Sequence, residues 1–575
     1  MSGKEPTTKV IDKSTEIKAV EEYRSLMSGL DSKTGRDILN SVLDRERPYE
    51  LVRALSSEDF YWLVKKIGED DCLPLLALAS EEQWQFLLDL ELWIDDRLDK
   101  TKTFQWVSRL QQADLTRVAQ WIFREGQAVG YMYLFRHLEI VVKTEEDDLP
   151  DLPEGFLTLD GVYYFRSLDR SQSPEFEKLL KAMAAEDRLR YQAMIAGLSG
   201  LIPAEAEEEM YRMRGVRLAE HGFLPREEAL SVYSPLPVSA AVRGSPESHL
   251  TVEFEAEVFQ SGASAPLVMT PATAGMFSRV AFSIDDPVLL DRIRLEFSGL
   301  CNLIMSADRI IPGDLRDLET ICHKAAGYVN VALEHLCGED FSLAMAKVRD
   351  TALFTFFRIG LGLAVEVGRR AVEWSSTSWW RTSGLEYSFW GDVGGKFLQG
   401  LMKPRPLFYS GMRENEEFRE FRSIGEVERS AMELEKIIAL DHLLGKLDTA
   451  PQHMRAVPEI TAQALLITLW ARAELGLESK FSVLPLVEAQ RLLSILKGGA
   501  SRRKWLRKDF RGQFTRFFTA GARFSGSEPD RNLREALWDI WDEFRDEYRD
   551  ISALDLDARF SRLIVIEPSG EVEPV

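Results

Sequence analysis

"ALSSEDFYWLV", residues 54–64, and "LASEEQWQFLL", residues 78–88, are nearly the same phrase written twice, 24 residues apart. They match at Leu55/Ala79, Ser56/Ser80, Glu58/Glu82, Phe60/Trp84, Trp62/Phe86, Leu63/Leu87 and Val64/Leu88. A weaker third copy follows in "WVSRLQQADLTRVAQWIF", residues 106–123. There Val107, Leu110, Asp114, Leu115, Val118 and Ala119 fall at the places of Val52, Leu55, Asp59, Phe60, Leu63 and Val64. Apolar residues three and four apart on both sides of a short polar break predict a helix, a tight turn and another helix. Ser56 and Ser80 read as helix starts, because a Ser oxygen accepts from a backbone N–H left free in the first turn. The acids that follow suit the positive end of the helix dipole. Short helices cannot bury an apolar stripe alone, so the repetition predicts pairs stacked into a small superhelix. Phe60, Trp84 and Leu115 are expected to face one core, with Glu58 and Glu82 exposed.

This pattern, over residues 48–124, resembles the intracellular superhelical domain of bacterial magnesium transporters and the related helical repeats of flagellar switch proteins. In those transporters the domain is regulatory and some of its acids take part in metal sensing. No ligand residue matches here, so the resemblance implies architecture alone.

At 575 residues the chain has room for about three to five domains. With 45% hydrophobic and 29% charged residues it is globular in composition. The balance of 71 basic against 93 acidic residues, net −22, disfavours nucleic acid or anionic lipid as a general partner, so any polyanion site must be local. Four cysteines, Cys72, Cys301, Cys322 and Cys337, are too scattered for a disulfide framework. A reducing cytoplasm is expected. "MSGKEPTTKVIDKSTEIKAV" at the start has no secretory-signal pattern. The most apolar run, Leu353–Val365, carries Arg358 and falls short of the ~20 apolar residues of a bilayer span. A buried helix and no membrane span are expected.

The expected class is mainly α, a multidomain helical protein with an N-terminal superhelical repeat array and one or two small β-hairpins. Its expected division is a tail with first helices at 1–46, a helical-repeat domain at 47–145, a hairpin plus helical segment at 146–235, a linker with a strand pair at 236–286, and a C-terminal helical domain at 287–575. "EEDDLPDLPEG" (145–155) marks a boundary. In "FLTLDGVYYF" (156–165), Asp160-Gly161 predicts a two-residue hairpin turn. "LTVEFEAEVF" (250–259) alternates as a half-buried strand, with "FSRVAFSI" (277–284) as its return. The hairpin, "GFLPREEALSVYSPL" (222–236) and "RPLFYSG" (405–411) together resemble a bacterial family of uncharacterised proteins. That resemblance implies a cytoplasmic bacterial protein and no activity, cofactor or catalytic residue.

Cys322, His323, His335 and Cys337 suggest zinc ligands. On one helix, however, the two pairs stand about 20 Å apart at 1.5 Å per residue, and only a break at Gly327 could join them. No metal site and no cofactor are expected. "GDVGGKF" (391–397) lacks the spacing and the Ser or Thr of a phosphate loop, and "GLGLAVEVG" (360–368) lacks the third glycine of a dinucleotide fingerprint.

Two stretches stand out. "EWSSTSWWRTSGLEYSFWGDVGGKF" (373–397) packs aromatics among a few polar groups, as pockets and interfaces do, so Trp379, Trp380, Arg381, Trp390 and Lys396 form a candidate pocket. In "SRRKWLRKDFRGQFTRF" (501–517), Leu506, Phe510, Phe514 and Phe517 make an apolar stripe flanked by Arg503, Lys504, Arg507, Lys508 and Arg511. Such a ridge fits a phosphate backbone, an anionic surface or an acidic partner, or else pairs with the chain's own acids in "WDIWDEFRDEYRD" (538–550). Three functional readings stay open: a non-catalytic cytoplasmic interaction or regulatory protein with a protein partner, an enzyme with its site near 374–405, and a polyanion-binding adaptor using 502–516.

Overall fold

A computed structural model describes residues 34–143, 152, 154–198, 200–241, 275–310, 315–411, 416–447, 460–478, 480–498, 509–520 and 527–567. It divides into two compact units. One comprises Met1–Ser234, Val238–Val329 and Glu339–Arg358, and the other Pro235–Pro237, Asn330–Gly338 and Ile359–Val575. Both are mainly helical.

The first unit opens with α1 (Gly35–Leu43), α2 (Pro48–Ala54), α3 (Ser57–Ile67), α4 (Leu73–Leu78), α5 (Glu81–Glu91) and, after a two-residue β-ribbon, α6 (Lys100–Ile122). The doubled phrase is therefore two helix pairs, α2–α3 and α4–α5. Ser56 and Ser80 cap the second helix of each, accepting from Asp59 N–H and Gln83 N–H. The third copy is one helix broken at Asp114, whose backbone leaves the helical region at φ −160°, ψ 89°. Its Oδ1 accepts from Arg117 N–H at 3.0 Å, so Asp114 is the third cap.

The caps set the register, and they move it. Counting four residues on from Ser56, Ser80 and Asp114 gives Phe60, Trp84 and Val118, all fully buried. Leu115, the residue expected there, is only half-buried. The third copy thus begins three residues later than apolar matching alone predicts. Glu82 is exposed as expected, but Glu58 is half-buried and sits 2.8 Å from His221 Nδ1.

A polar device also recurs at the third residue after the cap. Gln83 donates from Nε2 to the carbonyls of Val52 (2.9 Å) and Leu55 (2.8 Å), which end α2. Arg117 donates to the carbonyls of Ala77 and Ala79, which end α4, and lies over the Trp84 ring. The second and third copies so satisfy carbonyls that the preceding helix end leaves free. α2 packs on α4, α4 on α6, and α3 on α5.

α7 (Gln127–His137) runs into a three-stranded antiparallel sheet, β3 (Leu138–Val142), β4 (Leu157–Thr158) and β5 (Tyr163–Ser167), in the order β3-β5-β4; β1 (Trp93–Ile94) and β2 (Arg97–Leu98) are the ribbon mentioned above. The Asp-Gly hairpin is present with a different turn. Pairing of Thr158 with Tyr164 is incompatible with a two-residue loop, and four residues, Leu159 to Val162, separate β4 from β5. Asp160 Oδ1 accepts from Val162 and Tyr163 N–H, both at 3.0 Å, and Gly161 takes φ +75°. That side-chain turn outcompetes the two-residue form.

α8 (Ser173–Glu186), α9 (Arg188–Leu198), α10 (Pro203–Glu220) and α11 (Arg226–Ala229) follow. The strand expected at 250–259 lies outside the described residues. Its supposed partner at 277–284 is not a strand: Met276–Phe282 is a helix, α12, burying Met276, Phe277, Val280 and Ala281. Eight residues satisfy either period, and burial at spacings of three and four chose the helix. α13 (Pro287–Asp308), α14 (Leu315–Cys337, to Val329) and α15 (Phe341–Asp350) complete the unit.

The second unit takes α16 (Leu353–Thr377) from Ile359 on, then α17 (Trp379–Thr382), α18 (Gly391–Leu401), the two-stranded β6 (Phe408–Tyr409) and β7 (Phe418–Arg419), α19 (Ile424–Leu444), α20 (Ala462–Glu474), α21 (Leu486–Leu496), α22 (Asp509–Thr519) and α23 (Ser527–Tyr548). α19 and α22 both pack along α23, and Trp470, Phe514 and Trp541 interlock edge to face and tilted between them. Among the described residues no single helix is long and apolar enough to cross a membrane.

Candidate functional site

The second unit holds a groove of about 2080 Å³. Its walls are the start of α18, one face of α19 through Lys436 and Leu440, the start of α20, Leu486 and Gln490 of α21, one face of α23 through Asp539 and Glu543, and the segment from Leu554 to Ile566. That last segment is pinned by a parallel bridge: Leu484 N–H donates to Val565 O and Glu567 N–H to Leu484 O, each at 2.8 Å. Leu563 and Ile564 beneath it are buried.

An aromatic cluster stands behind the α18 wall. Ser378 caps α17 by accepting from Arg381 N–H. Trp374 and Trp380 stack at 5.9 Å and 16°, and Trp390 meets both rings at 6.1 Å. At its centre is Asp441 of α19, 1% exposed. It accepts from Trp380 N–H at 2.9 Å, Trp379 N–H at 3.1 Å and Trp374 Nε1 at 3.3 Å. Burial nevertheless raises its carboxyl above the usual range, outweighing those three hydrogen bonds. Close packing of the 3₁₀ turn Tyr387–Trp390 on α18 requires glycine at Gly395, where a Cβ would come within 2.5 Å of Tyr387 O.

The sequence-predicted pocket residues part company here. Trp390 lines the groove. Trp379 and Trp380 belong to the cluster behind it, and Arg381 caps that cluster with its guanidinium 4.5 Å from the Trp380 ring centre and a 3.0 Å hydrogen bond to Tyr387 Oη. Lys396 points to Glu417 and pairs with it. "GDVGGKF" is the first two turns of α18, and "GLGLAVEVG" lies inside α16. Of the basic ridge, Arg503, Lys504, Arg507 and Lys508 lie outside the described residues. Arg511 sits in α22, 3.1 Å from Asp542 and over the Trp538 ring, so it pairs with the acidic helix.

Cys322, His323, His335 and Cys337 lie along the unbroken α14. Among the described residues no group of three or more His, Cys, Asp or Glu is placed to hold a metal ion. Cys301 and Cys322 are 3.9 Å apart as free thiols.

Asp441 was legible and was missed. It falls four residues after Ile437 and three before Leu444, both buried, so it is an acid written into an apolar stripe. The groove itself had no such signal, because its walls come from segments up to 180 residues apart, from Glu386 to Ile566.

No curated protein and no solved structure matches the chain. The likeness of residues 48–124 to the transporter domain therefore rests on the leucine-rich pattern alone. A family model matches residues 14–567, nearly the whole length. The chain belongs to the family of unknown function DUF6178.

Proposed function

We propose that the protein is a non-catalytic cytoplasmic interaction protein that holds a segment of another polypeptide in the groove of its second unit. The observation that carries this is the groove's size together with its rim. At about 2080 Å³ it exceeds the ~300–1,000 Å³ typical of small-molecule sites. Val393 and Leu554 in its lining are 65% and 80% exposed, and Val487 and Phe560, next in sequence to lining residues, 72% and 76%. Large apolar side chains gathered in water around one concavity mark a surface that another molecule covers. The helix pairs of the first unit, read as a superhelical array, are the scaffold part of the same proposal.

The test is a photo-crosslinking residue placed at Leu554 of the full chain in its own cells, with Val288, 79% exposed in the first unit, as control. A discrete polypeptide adduct at 554, absent at 288 and lost when Val393→Glu is added, is the expected result. Identical patterns at both positions would sink the proposal.

A further inference from the structure

Three walls of the groove set a carboxylate beside an apolar side chain: Asp392 next to Val393 at the start of α18, Glu543 one turn from Ile540 on α23, and Asp555 next to Leu554. Seven carboxylates and three basic side chains line the groove in all. The three bases are engaged by the chain's own acids. Lys436 Nζ is 2.6 Å from Asp539 and 3.4 Å from Glu433, Arg559 is 2.7 Å from Asp557, and Arg562 is 3.9 Å from Glu547. Glu386, Asp392 and Glu543 make no salt bridge among the described residues. Glu543 bears the cost: burial, Glu547 and, more weakly, Asp392 push its carboxyl up, against Arg562. Among the described residues the groove carries net negative charge between apolar edges.

We infer that this groove takes a basic amphipathic segment of another protein, with Lys or Arg side chains meeting Asp392 and Glu543 while apolar side chains cover Val393 and Leu554. This rests on the reading of the groove as a polypeptide site and adds the chemical class of the occupant. Charge complementarity selects the basic partner, because a ligand of like charge would be repelled by walls that already strain Glu543. The apolar edges select an amphipathic one, because a simple polycation would leave Val393, Leu554 and Phe560 in water. A helix or extended segment with apolar positions along one side and cations along the other answers both demands.

The test pans a random-peptide phage library over the immobilised full-length protein and synthesises the enriched peptides. The expected peptides carry net positive charge with apolar residues on one face. Their binding should weaken by at least about tenfold in the Asp392→Lys, Glu543→Lys double variant, fade as salt is raised, and be abolished by Leu554→Glu. All three side chains reach the surface, so circular dichroism and a cooperative thermal transition should be retained and exclude misfolding. Enriched peptides that are neutral or acidic, yet still lost with Leu554→Glu, overturn the basic class and leave the groove reading standing. Peptides indifferent to Leu554→Glu, or no enrichment on the wild type or on the charge-reversed variant below, overturn both. Binding that appears only after Arg503 and Arg507 are reversed to Glu would assign the groove to the chain's own basic segment and overturn the external partner.

Discussion

Asp441 shows how much one residue decides in this protein. Three donors, two of them backbone, converge on its carboxylate, and a buried donor without a partner costs about 1–3 kcal/mol. Asp441→Ala should therefore destabilise the second unit by roughly 3 kcal/mol or more, with Asp441→Asn intermediate because its oxygen keeps one acceptor; urea midpoints would rank the three. Gly161 makes a different demand. With φ at +75° and open space around it, it tolerates bulk but not a β-branched backbone, so Gly161→Val should cost about 1–2 kcal/mol and Gly161→Asn much less, again by urea midpoint. His221 carries a pH dependence. Its bond to Glu58, aided by Glu82 and Glu220, outweighs burial and raises its pKa above 6.5. A raised folded value means that the stabilisation is complete below 6.5 and disappears as pH rises through the folded value. His137 moves oppositely, lowered by burial, and so acts only below 6.5. Thermal midpoints should fall with pH above 6.5 in the wild type and be flat there in His221→Gln. The hairpin glycine was readable from an Asp-Gly pair. The roles of Asp441 and His221 were not read, since their partners lie 61 to 163 residues away.

Among the elements, the helix pairs were the most legible, because a Ser cap and an apolar stripe are local chemistry. Their third member was misplaced by three residues for a local reason too. Apolar matching aligned Leu115 with Phe60, whereas the cap at Asp114 assigns that place to Val118. Trp84 lies between the copies, edge-on to Trp121 at 6.4 Å, with its Nε1 on Leu76 O and Arg117 over its ring. Trp84→Ala should cost about 3–5 kcal/mol and lower hydrogen-exchange protection in α4, α5 and α6 together. Loss confined to α5 would mean that the helices fold independently. Val118→Ala should cost more than Leu115→Ala, and Glu82→Gln, an exposed change, well under about 1 kcal/mol. The failed strand at 277–284 teaches the complement: over eight residues a period of two and a period of 3.6 are not separable, and only the neighbours that α12 buries against choose between them.

Across the whole molecule the chain divides into two compact units, and the segment from Leu556 to Ile566 is part of the second unit's core. Leu556, Leu563, Ile564 and Ile566 are buried, and the bridge from Leu484 holds them in place. Deleting residues 556–575 should therefore expose the second unit's core, lowering hydrogen-exchange protection in α20, α21 and α23 while leaving α2 to α6 at wild-type levels. Protection lost equally in both sets would show that the units fold as one. By itself the sequence determined the helical class, the capped pairs and the Asp-Gly turn, because periodicity, caps and positive φ are settled by residues within a few positions of one another. Tertiary structure alone decided the helix at 276–282, the three donors that meet Asp441 and the existence of an acidic groove. Each of these depends on which distant segments come together, and the free energy of burial is a property of the neighbours rather than of the residue.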